Sequence, residues 1–214
     1  VDHTIPDTAG VILKTPIGNI VHFADFRIDY NASGEPRDLS NYQRIGRMGI
    51  HTLMIDSTNA DEPGRSLSEK IVEKNLEDLF RQAEGRIIIT LFSTLLTRIY
   101  EILKIADRLG RQVAITGRSM KENIELAQNL GYIKPAKGLI IPIEEVNKYK
   151  DNRVMIFTTG SQGQTNSGLM KILTGENRYV RIKPTDMVVF SSSAVPGNER
   201  SIQNIKDGLC RQGA

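Results

Sequence analysis

The stretch RIIITLF, residues 86–92, decides the fold of this protein. Its apolar residues follow one another without the polar alternation of a half-exposed strand. An unbroken run of this kind is expected for a strand buried on both faces, as in a parallel sheet covered by helices. We therefore predict a strand of a parallel sheet at this point of the chain.

The segment before this strand, SLSEKIVEKNLEDLFRQAEG at residues 66–85, has the pattern of an amphipathic helix. Ser66 and Glu69 stand three residues apart, which is the spacing of a capping box, and Gly85 favours the end of the helix. The apolar residues fall on one helical stripe: Ile71, Val72, Leu76, Leu79 and Phe80.

After the strand, helices and strands alternate over about 150 residues. We predict helices at residues 95–109, 120–130, 167–175 and 199–213, and strands at 112–116, 153–159 and 186–193. Residues 138–149, GLIIPIEEVNKY, are less regular. This order predicts an α/β fold with a doubly wound, mainly parallel, Rossmann-like sheet.

The N-terminal part has a different pattern, which is richer in short strands. GVILKT and NIVHFA, separated by a turn with Pro and Gly, predict a hairpin. A polar loop at residues 27–40, a short helix at 39–48 and a strand at 51–56 follow. We therefore predict two domains, at residues 1–60 and 61–214. The first is too small to close its own core and is expected to belong to a larger layered structure.

Composition narrows the class of protein but leaves its function open. The net charge is +3, from 28 basic and 25 acidic residues, which is too mild to indicate nucleic-acid binding by itself. The single cysteine, Cys210, excludes an internal disulfide and a multi-cysteine zinc site, and it suits a cytoplasmic location. No apolar run predicts a membrane span, and the first residues do not resemble a signal peptide.

Small polar residues follow the ends of several predicted strands. The segments are DSTNA (56–60), FST (92–94), TGRSM (116–120), TTGSQGQ (158–164) and SSSAVPGNE (191–199). Each could simply cap the following helix. On one sheet edge, however, they would form an anion-binding rim. The sequence has neither a P-loop nor a G-x-G-x-x-G motif, so a mononucleotide or polynucleotide is favoured over ATP or NAD.

The ordered set HTIPD, HFADF, DSTNA, GRSM, TTGSQG and PGNE closely resembles the ribonuclease J family. These are metallo-β-lactamase-fold nucleases that carry a β-CASP insertion. The resemblance implies that residues 1–60 are the C-terminal part of the first half of the metallo-β-lactamase core. Residues 61–214 would then be a nearly complete β-CASP domain.

The same resemblance implies roles for three residues of the N-terminal part. His3 matches a histidine ligand and Asp25 the aspartate that bridges two zinc ions, whereas His22 and His51 match no ligand position. Asp56 is expected to act in catalysis by orienting another histidine, with helix capping as the alternative.

Further residues are expected to bind the substrate. Arg118 could contact a phosphate or pair with an acidic neighbour. Thr94 and Arg98 lie in FSTLLTRI (92–99), where relatives commonly carry a Ser-Asn pair followed by His and Arg. The full set is Ser57, Thr58, Thr94, Arg98, Arg118, Ser161, Gln162, Ser191 and Ser193.

The resemblance implies a zinc-dependent ribonuclease with two Zn²⁺ ions, 5′-to-3′ exonuclease and endonuclease activity, and a role in RNA processing and decay. Its partners would be single-stranded RNA with a 5′-monophosphate and further copies in a dimer or tetramer, with no membrane. The family's His-x-His-x-Asp-His cluster does not occur in this sequence. We therefore expect a fragment that is inactive alone. The alternative is a non-catalytic scaffold or RNA-binding module of an RNA-processing assembly.

Overall fold

The computed structural model describes residues 1–30, 35–36 and 38–214. The polar loop predicted at 27–40 thus lies partly outside the described residues, at 31–34 and 37. Contacts divide the chain into two compact units, Val1–Lys74 and Asn75–Ala214. The boundary predicted after residue 60 concerns family domains and stays a prediction.

The described part of the first unit is built around a small sheet with the order β1-β2-β3. Strands β1 (Val11–Thr15) and β2 (Gly18–His22) are antiparallel, which confirms the predicted hairpin. The hydroxyl of Thr15 donates a hydrogen bond to the carbonyl of Gly18 across the turn at 2.6 Å. Strand β3 (Ile50–Met54) pairs with β2 in parallel, and helix α1 (Ser40–Gly46) precedes it.

Helix α2 (Glu69–Arg81) begins later than the capping-box spacing predicted. Ser68, rather than Ser66, accepts a hydrogen bond from a backbone N–H of the first turn, that of Ile71. The carboxylate of Glu69 pairs with the guanidinium of Arg27 instead of turning back to the helix start. The predicted capping box is therefore wrong, because a tertiary ion pair takes the glutamate.

The second unit is an α/β domain with a parallel sheet of order β6-β5-β7-β4-β8. Strand β4 (Ile87–Thr90) lies within RIIITLF (86–92) and is buried throughout, as predicted. The other strands are β5 (Gln112–Ile115), β6 (Ile140–Ile141), β7 (Val154–Thr158) and β8 (Met187–Phe190). The irregular section, residues 138–149, contains β6 and the 3₁₀ turn Ile143–Lys148, and a second 3₁₀ turn, Asp151–Arg153, follows it.

Helices cover both faces of this sheet. They are α3 (Leu96–Arg108), α4 (Arg118–Asn129), α5 (Gly168–Leu173) and α6 (Glu199–Arg211). On one face, Leu169 of α5 and Ile205 of α6 belong to a core cluster with Ile88 of β4. Ile87 and Ile89 point to the opposite face because side chains alternate along a strand. Both are fully buried, so that face is covered as well. The predicted alternation is confirmed.

Within the described parts of the chain, no helix is both long and apolar enough to cross a membrane.

Candidate functional site

The polar segments of the second unit gather at one edge of its sheet. Because the strands are parallel, the segments after β4, β5, β7 and β8 all leave from their carboxyl ends. The fifth segment, DSTNA, follows β3 of the first unit. The expectation that all five share one edge is thus wrong for DSTNA, since two separate sheets supply the strands.

A crevice lies between the ends of β5 and β7. After β5 the chain passes through α4 to β6 on one side, and after β7 it passes through α5 to β8 on the other. Neighbouring strands whose connections diverge leave a crevice beyond their carboxyl ends, where ligands bind in open α/β sheets. A cleft of about 540 Å³ lies there, lined by Thr116, Gly117, Arg118, Thr159, Asn166 and Lys171, among others.

A second, smaller cleft of about 290 Å³ adjoins it at the ends of β4 and β7. Phe92, Ser93 and Ser161 line it, and three residues are shared with the first cleft: Ser119, Thr159 and Asn166. Asn123 of α4 donates hydrogen bonds to the carbonyl and hydroxyl oxygens of Ser93, at 3.1 and 3.0 Å. The loop after β4 is thereby fixed to the first turns of α4.

Two glycines allow the loops to approach each other around the rim. Gly117 has φ +96°, and a Cβ there would lie 2.9 Å from the hydroxyl of Thr159. Gly160 has φ +117°, and a Cβ there would meet the hydroxyl of Ser167 at 2.3 Å. Both positions therefore require glycine for conformation and for space.

Gln162 lies inside the rim and is 4% exposed. Its side-chain nitrogen donates to the carbonyl of Ser193 at 2.8 Å, and its oxygen accepts from the backbone N–H of Val195 at 2.7 Å. Ser161, beside it, is 3% exposed and lines the smaller cleft. The amide of Gln162 thus joins the loops after β7 and β8.

Arg98 joins the other side of the rim to β8. Its guanidinium donates a hydrogen bond to the carbonyl of Ser191 at 2.8 Å. In the segment FSTLLTRI (92–99), Thr94 is exposed, whereas Leu95 and Leu96 are half-buried. These two leucines therefore contribute in part to packing.

His3 and Asp25 lie together in the first unit. Nε2 of His3 is 4.0 Å from a carboxylate oxygen of Asp25, and that aspartate side chain is largely exposed. Nδ1 of His3 is buried without a hydrogen-bond partner. Imidazole and carboxylate are ordinary zinc ligands at about 2.0–2.2 Å, which places tetrahedral donors roughly 3.4 Å apart, so the exposed side chain of Asp25 would have to turn toward His3 for both to bind one ion. Across residues 1–30, 35–36 and 38–214, however, no group of three or more metal-binding side chains forms.

Asp56 begins a turn with the two residues that follow it. One carboxylate oxygen accepts hydrogen bonds from the hydroxyl of Thr58 at 2.7 Å and from its backbone N–H at 2.9 Å. These bonds, the hydroxyl first, lower the pKa of Asp56, and the backbone of Ser57 and the charge of His3 act in the same direction. The alternative role as a helix cap is wrong, because turns follow Asp56 rather than a helix.

Sequence reasoning missed several residues of the larger cleft. Glu122 lies in the second turn of α4, Asn166 lies two residues before α5, and Lys171 lies within α5. The signal that could have found them is their place in or just before the helices that follow β5 and β7. The sequence does not reveal that β5 and β7 are neighbours, since α4, β6 and the irregular section separate them.

The fold and rim define a class: an α/β domain with a parallel sheet and a polar, cation-bearing crevice at the carboxyl ends of its strands. The family model described as "Ribonuclease J, beta-CASP domain" matches residues 84–209. The chain belongs to this family, which confirms the resemblance and the fold class.

Relatives match the whole chain. Ribonuclease J of Mycoplasma pneumoniae is 36% identical over 213 residues, which is 100% of this chain and 37% of the relative. Ribonuclease J of Helicobacter pylori strain B128 is 38% identical over 215 residues, 100% of this chain and 31% of the relative. Ribonuclease J of Thermus thermophilus is 38% identical over 213 residues, which is 99% of this chain and 37% of the relative. The chain thus spans about a third of the length of the curated relatives it matches.

Proposed function

We propose that this chain is part of a zinc-dependent ribonuclease that processes and degrades RNA in the cytoplasm. The observation that carries the proposal is the pair of His3 and Asp25, 4.0 Å apart, in a chain of the ribonuclease J family. Its substrate would be single-stranded RNA with a 5′-monophosphate. The activity would combine 5′-to-3′ exonuclease and endonuclease action, in a protein that forms dimers or tetramers.

His3 and Asp25 would hold zinc in this proposal. When bound, two Zn²⁺ ions supply an activated water and stabilise the charge that develops on the phosphate. The exposed carboxylate of Asp25 is free to turn toward a shared ion. Asp56 is ionised at neutral pH, since even its ordinary pKa of about 3.9 lies far below 7 and the Thr58 contacts lower it further, so it is suited to accept a hydrogen bond from an imidazole N–H and orient that ligand.

The rim of the second unit would bind RNA. Arg118 presents a charge to the larger cleft, and the hydroxyl groups of Ser161, Ser191 and Ser193 lie along the loops after β7 and β8. Thr94 and Arg98 extend this surface beside β8, and Ser57 and Thr58 would contact RNA in the first unit. Gln162 would position these loops through its internal hydrogen bonds.

The first test is RNA binding by the 214-residue chain. We expect filter binding of single-stranded RNA with an affinity that falls as salt rises, because phosphate contacts release counterions. We also expect no cleavage with added Zn²⁺ or Mn²⁺, since the described residues bring together two metal donors rather than a full set. Binding that is absent, or insensitive to salt, would count against the RNA-binding role, and cleavage against the inactive fragment.

A chimera tests the zinc role. Residues 1–214 would replace the matching segment of Thermus thermophilus Ribonuclease J, which aligns over 99% of this chain. We expect His3→Ala to abolish RNA cleavage and lower the bound zinc measured by mass spectrometry. His22→Ala, a change of the same type at an exposed position of β2, should alter neither. Equal zinc content and activity in the two variants would contradict the assignment of His3.

A further inference from the structure

The cleft beyond β5 and β7 combines charges that the proposed function does not yet explain. Arg118 of α4 and Lys171 of α5 both line it, together with the carboxylate of Glu122. Among the described residues, none of the three has an ion-pair partner within 4.0 Å. Two cations from helices that follow different strands therefore meet at one cavity with their charges available to a ligand.

The chemistry of the cleft favours a sugar-phosphate unit over a base. Its lining consists of hydroxyl, amide and charged side chains with glycine, and no aromatic residue is among those that line it. Recognition of a base usually involves stacking on an aromatic ring, whereas phosphate needs cations and hydrogen-bond donors. The volume of about 540 Å³ is within the range of small-ligand sites, roughly 300–1,000 Å³.

The single carboxylate gives the cleft a preference among sugars. A carboxylate beside a phosphate site repels the anion, but it accepts a hydrogen bond from a ribose hydroxyl, as acidic residues do in Rossmann-type nucleotide sites. The 2′-hydroxyl is the group that distinguishes RNA from DNA. Glu122 lies in the same helix as Arg118, four residues further on, and therefore on the same face.

We propose that this cleft binds one ribonucleotide unit of single-stranded RNA. Arg118 and Lys171 hold its phosphate, Glu122 accepts a hydrogen bond from its ribose, and the base is not read. The proposal rests on the proposed function and sharpens it. It assigns RNA selectivity to a carboxylate of α4, and it assigns Lys171 and Glu122 to RNA binding.

The test compares oligouridylate with oligodeoxyuridylate of the same length, bound to the 214-residue chain at several salt concentrations. We expect Arg118→Gln and Lys171→Gln each to weaken RNA binding about tenfold. Each should also lower the slope of log affinity against log salt by about 0.7. Glu122→Gln should raise the affinity for DNA more than that for RNA, so that the preference for RNA falls.

Lys121→Gln is the matched control. It removes the same charge from the same helix, one position before Glu122, but Lys121 lines a different groove, beside β6. If wild-type chain binds RNA while Arg118→Gln and Lys171→Gln behave like Lys121→Gln, the cleft is not the site and the proposed function stands. An unchanged RNA-to-DNA ratio in Glu122→Gln would overturn the ribose contact. If the wild-type chain binds no RNA, the proposed function and this inference are both contradicted.

Discussion

The side-chain oxygen of Gln162 accepts a hydrogen bond from the backbone N–H of Val195 at 2.7 Å. The other half of the same amide donates to the carbonyl of Ser193 at 2.8 Å. One buried side chain therefore ties the loop after β7 to the loop after β8. The rim is held together from inside, which keeps the hydroxyl groups of both loops in a fixed relation.

Replacing Gln162 by Leu should destabilise the second unit. The substitution removes the two short hydrogen bonds to the backbone of Ser193 and Val195 and two longer ones, of 3.4 Å, to the side chains of Ser192 and Asn198, so the free energy of unfolding should fall by about 2 kcal/mol. Urea unfolding followed by circular dichroism would measure it. Gln128→Leu, at an exposed position of α4, is the control. Equal midpoints for the two variants would show that Gln162 does not stabilise the loops.

Gly160→Ala should destabilise the same loop through steric overlap. The new Cβ would lie 2.3 Å from the hydroxyl of Ser167, the residue that caps α5 by accepting from the N–H of Met170. Gly197 also has a positive φ, +94°, but a Cβ there meets nothing within 4 Å. Gly197→Ala therefore reports backbone strain alone.

We expect the thermal midpoint to fall further for Gly160→Ala than for Gly197→Ala, with a difference of about 1–3 kcal/mol in unfolding free energy. The difference corresponds to the overlap with Ser167. Equal losses in the two variants would mean that the loop relaxes around the added methyl group, and that space is not the reason for glycine at this position.

The sequence predicted the second unit well because local signals agree there. The apolar run of β4 determines a buried strand, and the alternation of helices and strands after it implies a parallel sheet. The order of the strands in the sheet, by contrast, could not be predicted. Nothing local indicates that β7 lies between β5 and β4, so the crevice at their ends could not be located from the sequence.

The site was predicted by residue type and therefore only in part. The resemblance implied that Gln162 binds the substrate, and the structure shows its amide making hydrogen bonds within the fold. No role was predicted for Lys171 and Glu122, because charged side chains of a helix ordinarily lie on its solvated face. Only the strand order brings them to the same cleft as Arg118.

The buried ion pair at the start of β4 offers a stability test away from the rim. The guanidinium of Arg86 donates two hydrogen bonds to the carboxylate of Asp186, at 2.8 and 2.6 Å, and one to the carbonyl of Arg181. Arg86 is 1% exposed. Arg86→Met should lower the unfolding free energy by about 3–5 kcal/mol, because the carboxylate of Asp186 would remain buried without its partner.

The exposed pair of Arg81 and Glu77 provides the comparison, since Arg81→Met should cost at most about 0.5 kcal/mol. The double variant Arg86→Met with Asp186→Asn should lose less than the sum of the two single losses, because the second change removes the unpaired charge. Additive losses in chemical denaturation would contradict direct coupling of the two side chains.

The turn at Asp56 leads to a prediction about the pKa of its carboxyl group. The hydroxyl of Thr58 is the largest cause of the lowered pKa of Asp56, and Thr58→Val removes that hydroxyl but keeps the backbone N–H. The pKa should therefore rise toward its ordinary value of about 3.9 while staying below it. Carbon-13 NMR titration of the carboxyl groups would measure the change.

The lowered pKa of Asp56 determines how the free energy of unfolding changes with pH. Ionised Asp56 stabilises the folded state above the pKa of the unfolded chain, and this contribution is lost as the pH falls through the lower folded-state pKa. In Thr58→Val the two pKa values lie closer together, so unfolding free energy should depend less on pH in the acidic range. Asp38 is the internal control, because Ser40 lowers its pKa and the substitution does not affect that contact. A parallel rise at Asp38, or none at Asp56, would show that the Thr58 hydroxyl does not hold the carboxylate.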